Sequence, residues 1–131
     1  MEALTDSSVI IAMERGQLSL SELGSIADAP LVLSAISVSE LLHGVHRADA
    51  KHRMRRAAFV EMILEDAITL AFDTRVARVH AHLSAALARS GTPIGAHDLQ
   101  IGSTAVAHGL KVVTRKPRDF VRIPGCEVVT I

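Results

Sequence analysis

Four acidic residues lie where a chain of alternating strands and helices places the ends of its strands. Asp6 directly follows the first predicted strand, and Glu40 lies four residues beyond the second, in the first turn of the next helix. Asp98 opens a later helix, and Asp119 lies six residues beyond the fourth strand. In α/β folds with parallel sheets, binding sites form outside the carboxyl ends of the strands. We therefore expect these four carboxylates to lie close together.

A cluster of four carboxylates needs a source of positive charge. Two unit charges 4 Å apart repel by about 4 kcal/mol at an effective dielectric constant of 20. Protonation or a divalent cation removes this repulsion, and ligands that are all oxygen favour the hard ions Mg²⁺ and Mn²⁺. Such ions can generate hydroxide, orient an in-line attack and stabilise the leaving oxygen of a phosphodiester. The acids therefore indicate metal-dependent phosphoryl chemistry.

Each acid also has a simpler explanation when it is taken alone. Asp6 could serve only as a helix cap, and Glu40 and Asp98 could be solvated acids that the helix dipole favours. Asp119 could pair with a neighbouring arginine, either Arg115 or Arg122. Four acids in succession after strand ends are less easily explained as independent caps, so we prefer the metal site.

Strand and helix patterns alternate along the chain and position these acids. Short apolar runs predict strands at residues 3–5, 31–36, 68–70, 110–113 and 127–130. Helices are predicted to begin at Ser7 or Ser8, near residue 18 (to about 27), at Ser37 or Ser39, at Asp49, at Asp73 and near His97. This alternation implies right-handed crossovers and a mostly parallel central sheet with helices on both faces. The predicted fold class is α/β, with three α/β/α layers.

Length and composition limit the class of protein. A chain of 131 residues is expected to form a single domain over 1–131, and its 49% hydrophobic and 21% charged residues exclude disorder. The one cysteine, Cys126, excludes a disulfide framework and a cysteine-only metal site. No apolar run approaches the roughly 20 residues that cross a bilayer, and no signal peptide is evident. We therefore expect a soluble, cytoplasmic protein that does not bind membranes.

Positive charge is concentrated in two segments, although the formal net charge of the chain is zero. Residues 47–56 and 111–122 hold 10 of the 14 lysines and arginines, and the rest of the chain carries 4 basic and 12 acidic residues. This segregation can create a local anion-binding surface on a neutral protein, although two solvated faces would explain it equally well. Beside an acidic metal site, the basic segments would suit the phosphates that flank a reacting one.

The seven histidines do not form a recognisable zinc motif. His43 and His46 share a helix face, but there is no His-Glu-x-x-His pattern and Cys126 has no cysteine partner. His97 adjoins Asp98 and could contact substrate or move a proton, although a capping or solvent-facing role is the simpler interpretation.

Four segments of the chain, in order, resemble the motifs of the PIN-domain family. They cover nearly the whole sequence and comprise residues 6–11 (DSSVII), 37–45 (SVSELLHGV), 94–101 (IGAHDLQI) and 113–120 (VTRKPRDF). Each segment contains one of the four acids. Within the family, the chain is most similar to VapC-type toxins of bacterial VapBC toxin–antitoxin pairs. One such motif is weak evidence, but four in this order and spacing are fairly specific.

The resemblance implies a metal-dependent endoribonuclease. Asp6, Glu40 and Asp98 would bind Mg²⁺ or Mn²⁺ or position the attacking water. Asp119 would be a fourth, outer acid, and the Ser7 hydroxyl would support the ligands. The family further implies a homodimer and a cognate antitoxin that occupies the groove of the toxin, often with a basic side chain near the acids.

The expected substrate is RNA, which could be tRNA, rRNA or mRNA. Arg115, Lys116, His97 and the segment 47–56 are the candidate contacts to it. Lys116 departs from the family pattern, since Asn or Asp often stands there. A cation beside the acids is expected either to weaken metal binding or to contact a substrate phosphate.

Two other functions stay open at this point. Another metal-dependent phosphohydrolase, such as an aspartyl-phosphate phosphatase, would also use acids, but its usual Asp-x-Asp start would need an acid at Ser8. A catalytically silent RNA- or protein-binding module could keep the same fold without cleaving anything.

Overall fold

A computed structural model describes residues 3–19, 22 and 29–131 of the chain. The elements in these ranges are, in chain order, β1 (Ala3–Thr5), α1 (Ser7–Glu14), β2 (Val32–Ser34), α2 (Ala35–Arg47), α3 (Ala50–Asp66), β3 (Ile68–Leu70), α4 (Thr74–Arg89), α5 (Ala96–His108), β4 (Lys111–Thr114), α6 (Pro117–Phe120) and β5 (Val128–Thr130). Each predicted strand is present. The helix predicted for residues 18–27 falls largely outside the described residues.

The strands of the described chain all pair in parallel. β4 lies between β1 and β5, β2 pairs with β3, and β1 lies beside β2. In the register of β1 and β4, Thr5 is opposite Val113. Asp6 directly follows Thr5, and Thr114 directly follows Val113. These two residues therefore lie side by side at the carboxyl end of the sheet.

Successive strand residues pack against helices on opposite faces of the sheet. Val32 and Val112 belong to a buried cluster with side chains of α4 and α5. Leu33 and Val113, which follow them, belong to clusters with side chains of α1, α2 and α3. Helices thus cover both faces, which confirms the predicted three-layer α/β/α fold with a parallel sheet.

The start of α2 differs from the sequence prediction. The strand predicted for residues 31–36 ends at Ser34, whose hydroxyl oxygen accepts the backbone N–H of Ser37 at 3.0 Å and caps the helix. The predicted starts at Ser37 or Ser39 were wrong, because Ser34 already ends the strand and supplies the cap. Glu40 consequently lies in the second turn of α2 rather than in its first.

The start of α1 also differs from the predicted Ser7 or Ser8 cap. Asp6 occupies the cap position, and its side chain forms no capping hydrogen bond. Asp6 is only 5% exposed, and its carboxylate is held by other groups, which are described below. The predicted caps of α3 and α4, Asp49 and Asp73, are confirmed, since each carboxylate accepts a backbone N–H three residues on.

The surface of the described helices shows no membrane-crossing segment. Within residues 3–19, 22 and 29–131, no helix is both long and apolar enough to span a bilayer. The exposed methionines of α3, Met54 and Met62, stand among charged side chains on that helix.

Replacing Ser34 with alanine is expected to lower the free energy of unfolding by about 1–2 kcal/mol, because the buried start of α2 loses its acceptor. Urea or thermal unfolding of the two proteins measures this difference. Ser39→Ala, which changes an exposed serine of the same helix, is the matched control and should have little effect. Equal stability of all three proteins would show that the cap does not stabilise α2.

Candidate active site

Asp6 lies at the carboxyl end of β1, where two hydroxyl groups hold its carboxylate. Its Oδ2 accepts hydrogen bonds from Ser8 Oγ at 2.7 Å and from Thr114 Oγ1 at 2.8 Å. Its backbone N–H donates to the carbonyl of Val113 at 2.9 Å, which continues the β1–β4 pairing. Within the described residues, Asp6 Oδ1 accepts no hydrogen bond, so this oxygen is available to a ligand.

Glu40 links three helices at the edge of the same site. Ser7 Oγ, at the start of α1, donates to Glu40 Oε1 at 3.0 Å. His97 Nδ1, in the first turn of α5, lies 3.3 Å from Glu40 Oε2. Glu40 is partly buried, with 28% of its side chain exposed, whereas His97 is largely exposed. Ser7 thus orients one carboxylate oxygen, and the other faces α5.

Asp98 and Asp119 meet at the start of α5. Asp119 Oδ2 accepts the backbone N–H of Gly95 at 3.0 Å, and its Oδ1 lies 3.7 Å from Arg122 Nη1. A Cβ at Gly95 would be in ordinary van der Waals contact with both acids, 3.4 Å from Asp119 Oδ2 and 3.8 Å from Asp98 Oδ2. Gly95 therefore packs directly against the two carboxylates at the start of α5.

The four acids interact electrostatically, and burial and these interactions together raise the pKa of Asp98. Burial raises the pKa of Asp98 to about 6, and the charge of Asp6, a hydrogen bond and charge from Asp119, and the charge of Glu40 raise it in the same direction. An acid with this pKa accepts a proton much more readily than a solvated aspartate. The cluster therefore favours any cation that can take the place of that proton.

The structure brings together all four acids that the sequence singles out, along with Ser7 and His97. The remaining two candidates, Arg115 and Lys116, have exposed side chains where the chain passes from β4 to α6. Their backbone N–H groups donate to Ser8 Oγ at 3.2 Å and to Thr114 Oγ1 at 2.9 Å, respectively. The two residues therefore border the cluster, and their roles, like those of the acids, stay predictions.

Sequence reasoning missed three residues that shape this site, Ser8, Thr114 and Gly95. The first two supply the hydroxyl donors to Asp6, and the third supplies the amide donor to Asp119. Ser8 carries a local signal, because a hydroxyl two residues after an acid often bonds back to it. The role of Thr114 can be predicted only when the pairing of β1 with β4 is known. The role of Gly95 can be predicted only when α6 is known to lie beside the start of α5.

The carboxylate oxygens of this site are suitable ligands for a hard divalent cation. Among the described residues, no three His, Cys, Asp or Glu side chains are already arranged as a metal site. The acids nonetheless offer only oxygen atoms, and burial together with the charges of the other three acids raises the pKa of Asp98. Carboxylate oxygens with uncompensated negative charge are the ligands that Mg²⁺ and Mn²⁺ prefer. Asp6, Glu40 and Asp98 therefore fit the predicted ion.

Comparison with known proteins assigns the family. A model of the PIN domain matches residues 3–125. The chain belongs to the PIN-domain family. This confirms the resemblance that the four motifs indicate.

Several relatives of this PIN domain are similar over most of their length. Ribonuclease VapC1 of Rickettsia felis is 34% identical over 132 residues, which cover 100% of this chain and 97% of the relative. A tRNA(fMet)-specific endonuclease VapC of Salmonella typhimurium is 37% identical over 98 residues, covering 75% of this chain and 73% of the relative. The crystal structure of DNA-bound VapBC from Salmonella typhimurium superposes with a TM-score of 0.89 at 30% identity, covering 99% of this chain and 98% of that one.

Part of the basic segment 47–56 of this PIN domain serves its own fold. Arg56 Nε donates to Glu14 Oε1 at 3.0 Å and ties α3 to α1. Arg53 Nη2 donates to the carbonyl of Ala48 at 2.7 Å. These two side chains already have partners within the chain, so the segment offers fewer cations to a ligand than its sequence suggests.

The raised pKa of Asp98 predicts a pH-dependent stability of the metal-free PIN domain. The folded state keeps a proton that the unfolded state releases near pH 4, so the free energy of unfolding falls as the pH rises from about 4 to about 6. Asp98→Asn should therefore stabilise the protein at pH 7 by about 1 kcal/mol, a value reduced for the solvent that reaches this half-buried group. Near pH 4 the two proteins should be equally stable.

Urea unfolding in EDTA at pH 4 and pH 7 measures this prediction. Glu61→Gln, which neutralises an exposed acid on α3, is the control and should show no such pH dependence. An Asp98→Asn protein that is less stable than wild type at pH 7 would contradict the repulsion among the acids.

Proposed function

We propose that this protein is a Mg²⁺- or Mn²⁺-dependent endoribonuclease toxin that hydrolyses RNA phosphodiester bonds and is inhibited by a cognate antitoxin. The observation that carries the proposal is the convergence of four carboxylates, from four different helix starts or turns, at the carboxyl end of the sheet. The similarity over the whole chain to a protein named Ribonuclease VapC1, and over three quarters of it to a tRNA(fMet)-specific endonuclease VapC, supports RNA as the substrate.

Asp6, Glu40 and Asp98 would hold the ion, which supplies an activated water and neutralises charge on the phosphate. The Ser8 and Thr114 hydroxyls fix the orientation of Asp6 by occupying its Oδ2, which leaves Oδ1 to face a ligand. Ser7 does the same for one oxygen of Glu40. These bonds hold the ligands in place before any ion or substrate binds, which reduces the cost of organising the site.

Asp119 would act as the outer acid of the site. The Gly95 N–H and the Arg122 guanidinium already offset part of its charge, so it can stand beside Asp98 without a further cation. Arg115 and Lys116, at the exposed rim, would bind phosphates that flank the one being cleaved. His97 would contact the substrate from the first turn of α5, next to Glu40.

Two alternatives are less well supported. An aspartyl-phosphate phosphatase would need a second acid where Ser8 stands, and the Ser8 hydroxyl instead donates to Asp6. A catalytically silent binding module would gain nothing from four carboxylates in one place, because the charges of Asp6, Asp119 and Glu40 disfavour the ionised form of Asp98. The silent module is therefore the alternative that the first experiment must exclude.

The proposal includes a homodimer, a cytoplasmic location and an antitoxin partner. Support for the partner comes from the likeness to a VapBC assembly at 30% identity over nearly the whole chain. The uncompensated negative charge of the site would favour an inhibitor that brings a basic side chain to it.

Purified protein is expected to cut RNA at discrete sites when Mg²⁺ or Mn²⁺ is present and to leave it intact in EDTA. A mixed pool of tRNA, rRNA and mRNA, separated by electrophoresis, measures cleavage and begins to identify the substrate. Asp98→Asn is the inactive control, because it removes a proposed ligand and is expected to fold. Binding of RNA without cleavage under every metal condition would support the silent module instead.

Thr114→Val is expected to lower kcat about 10- to 100-fold while KM changes little, because Asp6 loses a hydroxyl donor that orients it. Steady-state cleavage kinetics on the substrate identified above measure both constants. Thr114→Ser, which keeps the hydroxyl, is the matched control and should retain most of the activity. Similar losses for Val and Ser would indicate that packing of the methyl group, and not the hydrogen bond, is what matters.

A further inference from the structure

Lys116 occupies a fixed position beside the acid cluster, although its side chain is exposed. Its backbone N–H donates to Thr114 Oγ1 at 2.9 Å, and the same hydroxyl donates to Asp6 Oδ2 at 2.8 Å. Only two hydrogen bonds therefore separate the backbone of Lys116 from a proposed metal ligand. Lys116 forms no ion pair with any residue in the described ranges, so its ammonium group is available to a ligand.

The carboxylate oxygens that remain available suffice for one ion. Asp6 Oδ2 and Glu40 Oε1 already accept hydroxyl hydrogen bonds. Asp119 Oδ2 accepts the Gly95 N–H, and its Oδ1 faces Arg122. Glu40 Oε2 lies 3.3 Å from His97 Nδ1. This leaves Asp6 Oδ1 and the carboxylate of Asp98. Mg²⁺ commonly takes one or two carboxylates and fills its other positions with water or phosphate oxygens.

A second ion would have to use Asp119, which is already engaged. It would displace either the Gly95 N–H or the Arg122 guanidinium from that carboxylate. Lys116 would add to the repulsion, because its backbone N–H bonds to Thr114 Oγ1 at the edge of the cluster and its side chain carries a positive charge. Arg122 and Lys116 therefore supply positive charge on the side of the cluster that Asp119 occupies.

We propose that the site binds a single divalent ion and that the ammonium group of Lys116 replaces a second one, by binding the RNA phosphate that lies between the ion and α6. A lysine is a compact charge on a flexible stem and is suited to a phosphate whose position shifts during binding. The proposal rests on the proposed function, and its experiments have readouts that do not depend on cleavage.

Calorimetric titration with Mn²⁺ in the absence of RNA tests the number of ions. Wild-type protein and Lys116→Arg are expected to bind one ion per chain with similar affinity. Lys116→Asn, which removes the nearby positive charge and adds an oxygen ligand, should bind Mn²⁺ about three- to tenfold more tightly or should gain a second ion. Two ions on the wild-type chain, or identical titrations for all three proteins, would overturn the proposal.

RNA binding measured in EDTA tests the phosphate contact. Lys116→Asn should weaken binding and reduce the dependence of affinity on salt by about one phosphate contact. Arg78→Gln, which removes an exposed cation of α4 outside both basic segments, is the control and should leave both unchanged. Equal effects of the two substitutions would show that Lys116 adds only general charge and would overturn its assigned role.

The two proposals can fail separately. If wild-type protein neither binds a divalent ion nor cleaves RNA, the proposed function fails and this inference fails with it. If wild-type protein cleaves RNA with metal but binds two ions, only the role of Lys116 is wrong.

Discussion

The repulsion among four carboxylates must be offset before the chain can hold them at one end of its sheet. Hydroxyl and amide donors do this for three of them, since Asp6, Glu40 and Asp119 each accept at least one hydrogen bond from a neighbouring element. Asp98 accepts none of these hydrogen bonds, and burial and the neighbouring acids raise its pKa to about 6. The unfavourable electrostatic energy is thus concentrated on one group, at the place where a cation would relieve it.

The parallel register of the sheet is what supplies the donors. Asp6 and Thr114 are 108 positions apart in the chain, yet the pairing of β1 with β4 sets them side by side. Gly95, which directly precedes α5, donates its N–H to Asp119 of α6, 24 positions further along the chain. These donors are brought together only by folding, so the site can keep its geometry without an ion to assemble it.

Sequence alone predicts the local parts of this arrangement. The caps Asp49 and Asp73 follow from signals within a few residues, and the structure places both as expected. The acids after strand ends also follow from the chain pattern, although Glu40 lies in the second turn of α2 and not in its first. The start of α2 is missed because residues 31–36 are an apolar run in which Ser34 is not distinguished as the point where strand becomes helix. Thr114 is missed for a different reason, since nothing near it in the chain indicates which strand lies beside β4.

Two kinds of cation can satisfy the same carboxylates, and this links activity to inhibition under the proposed function. A divalent ion would neutralise Asp6, Glu40 and Asp98 and would leave room for a phosphate. A basic side chain from a partner would neutralise the same oxygens and occupy that room. Because both would lower the same repulsion, binding of one must weaken binding of the other by an equal factor. Lys116 differs from both, because its side chain forms no ion pair with the acids in the described part of the chain and would add positive charge for the substrate only when no partner fills that room.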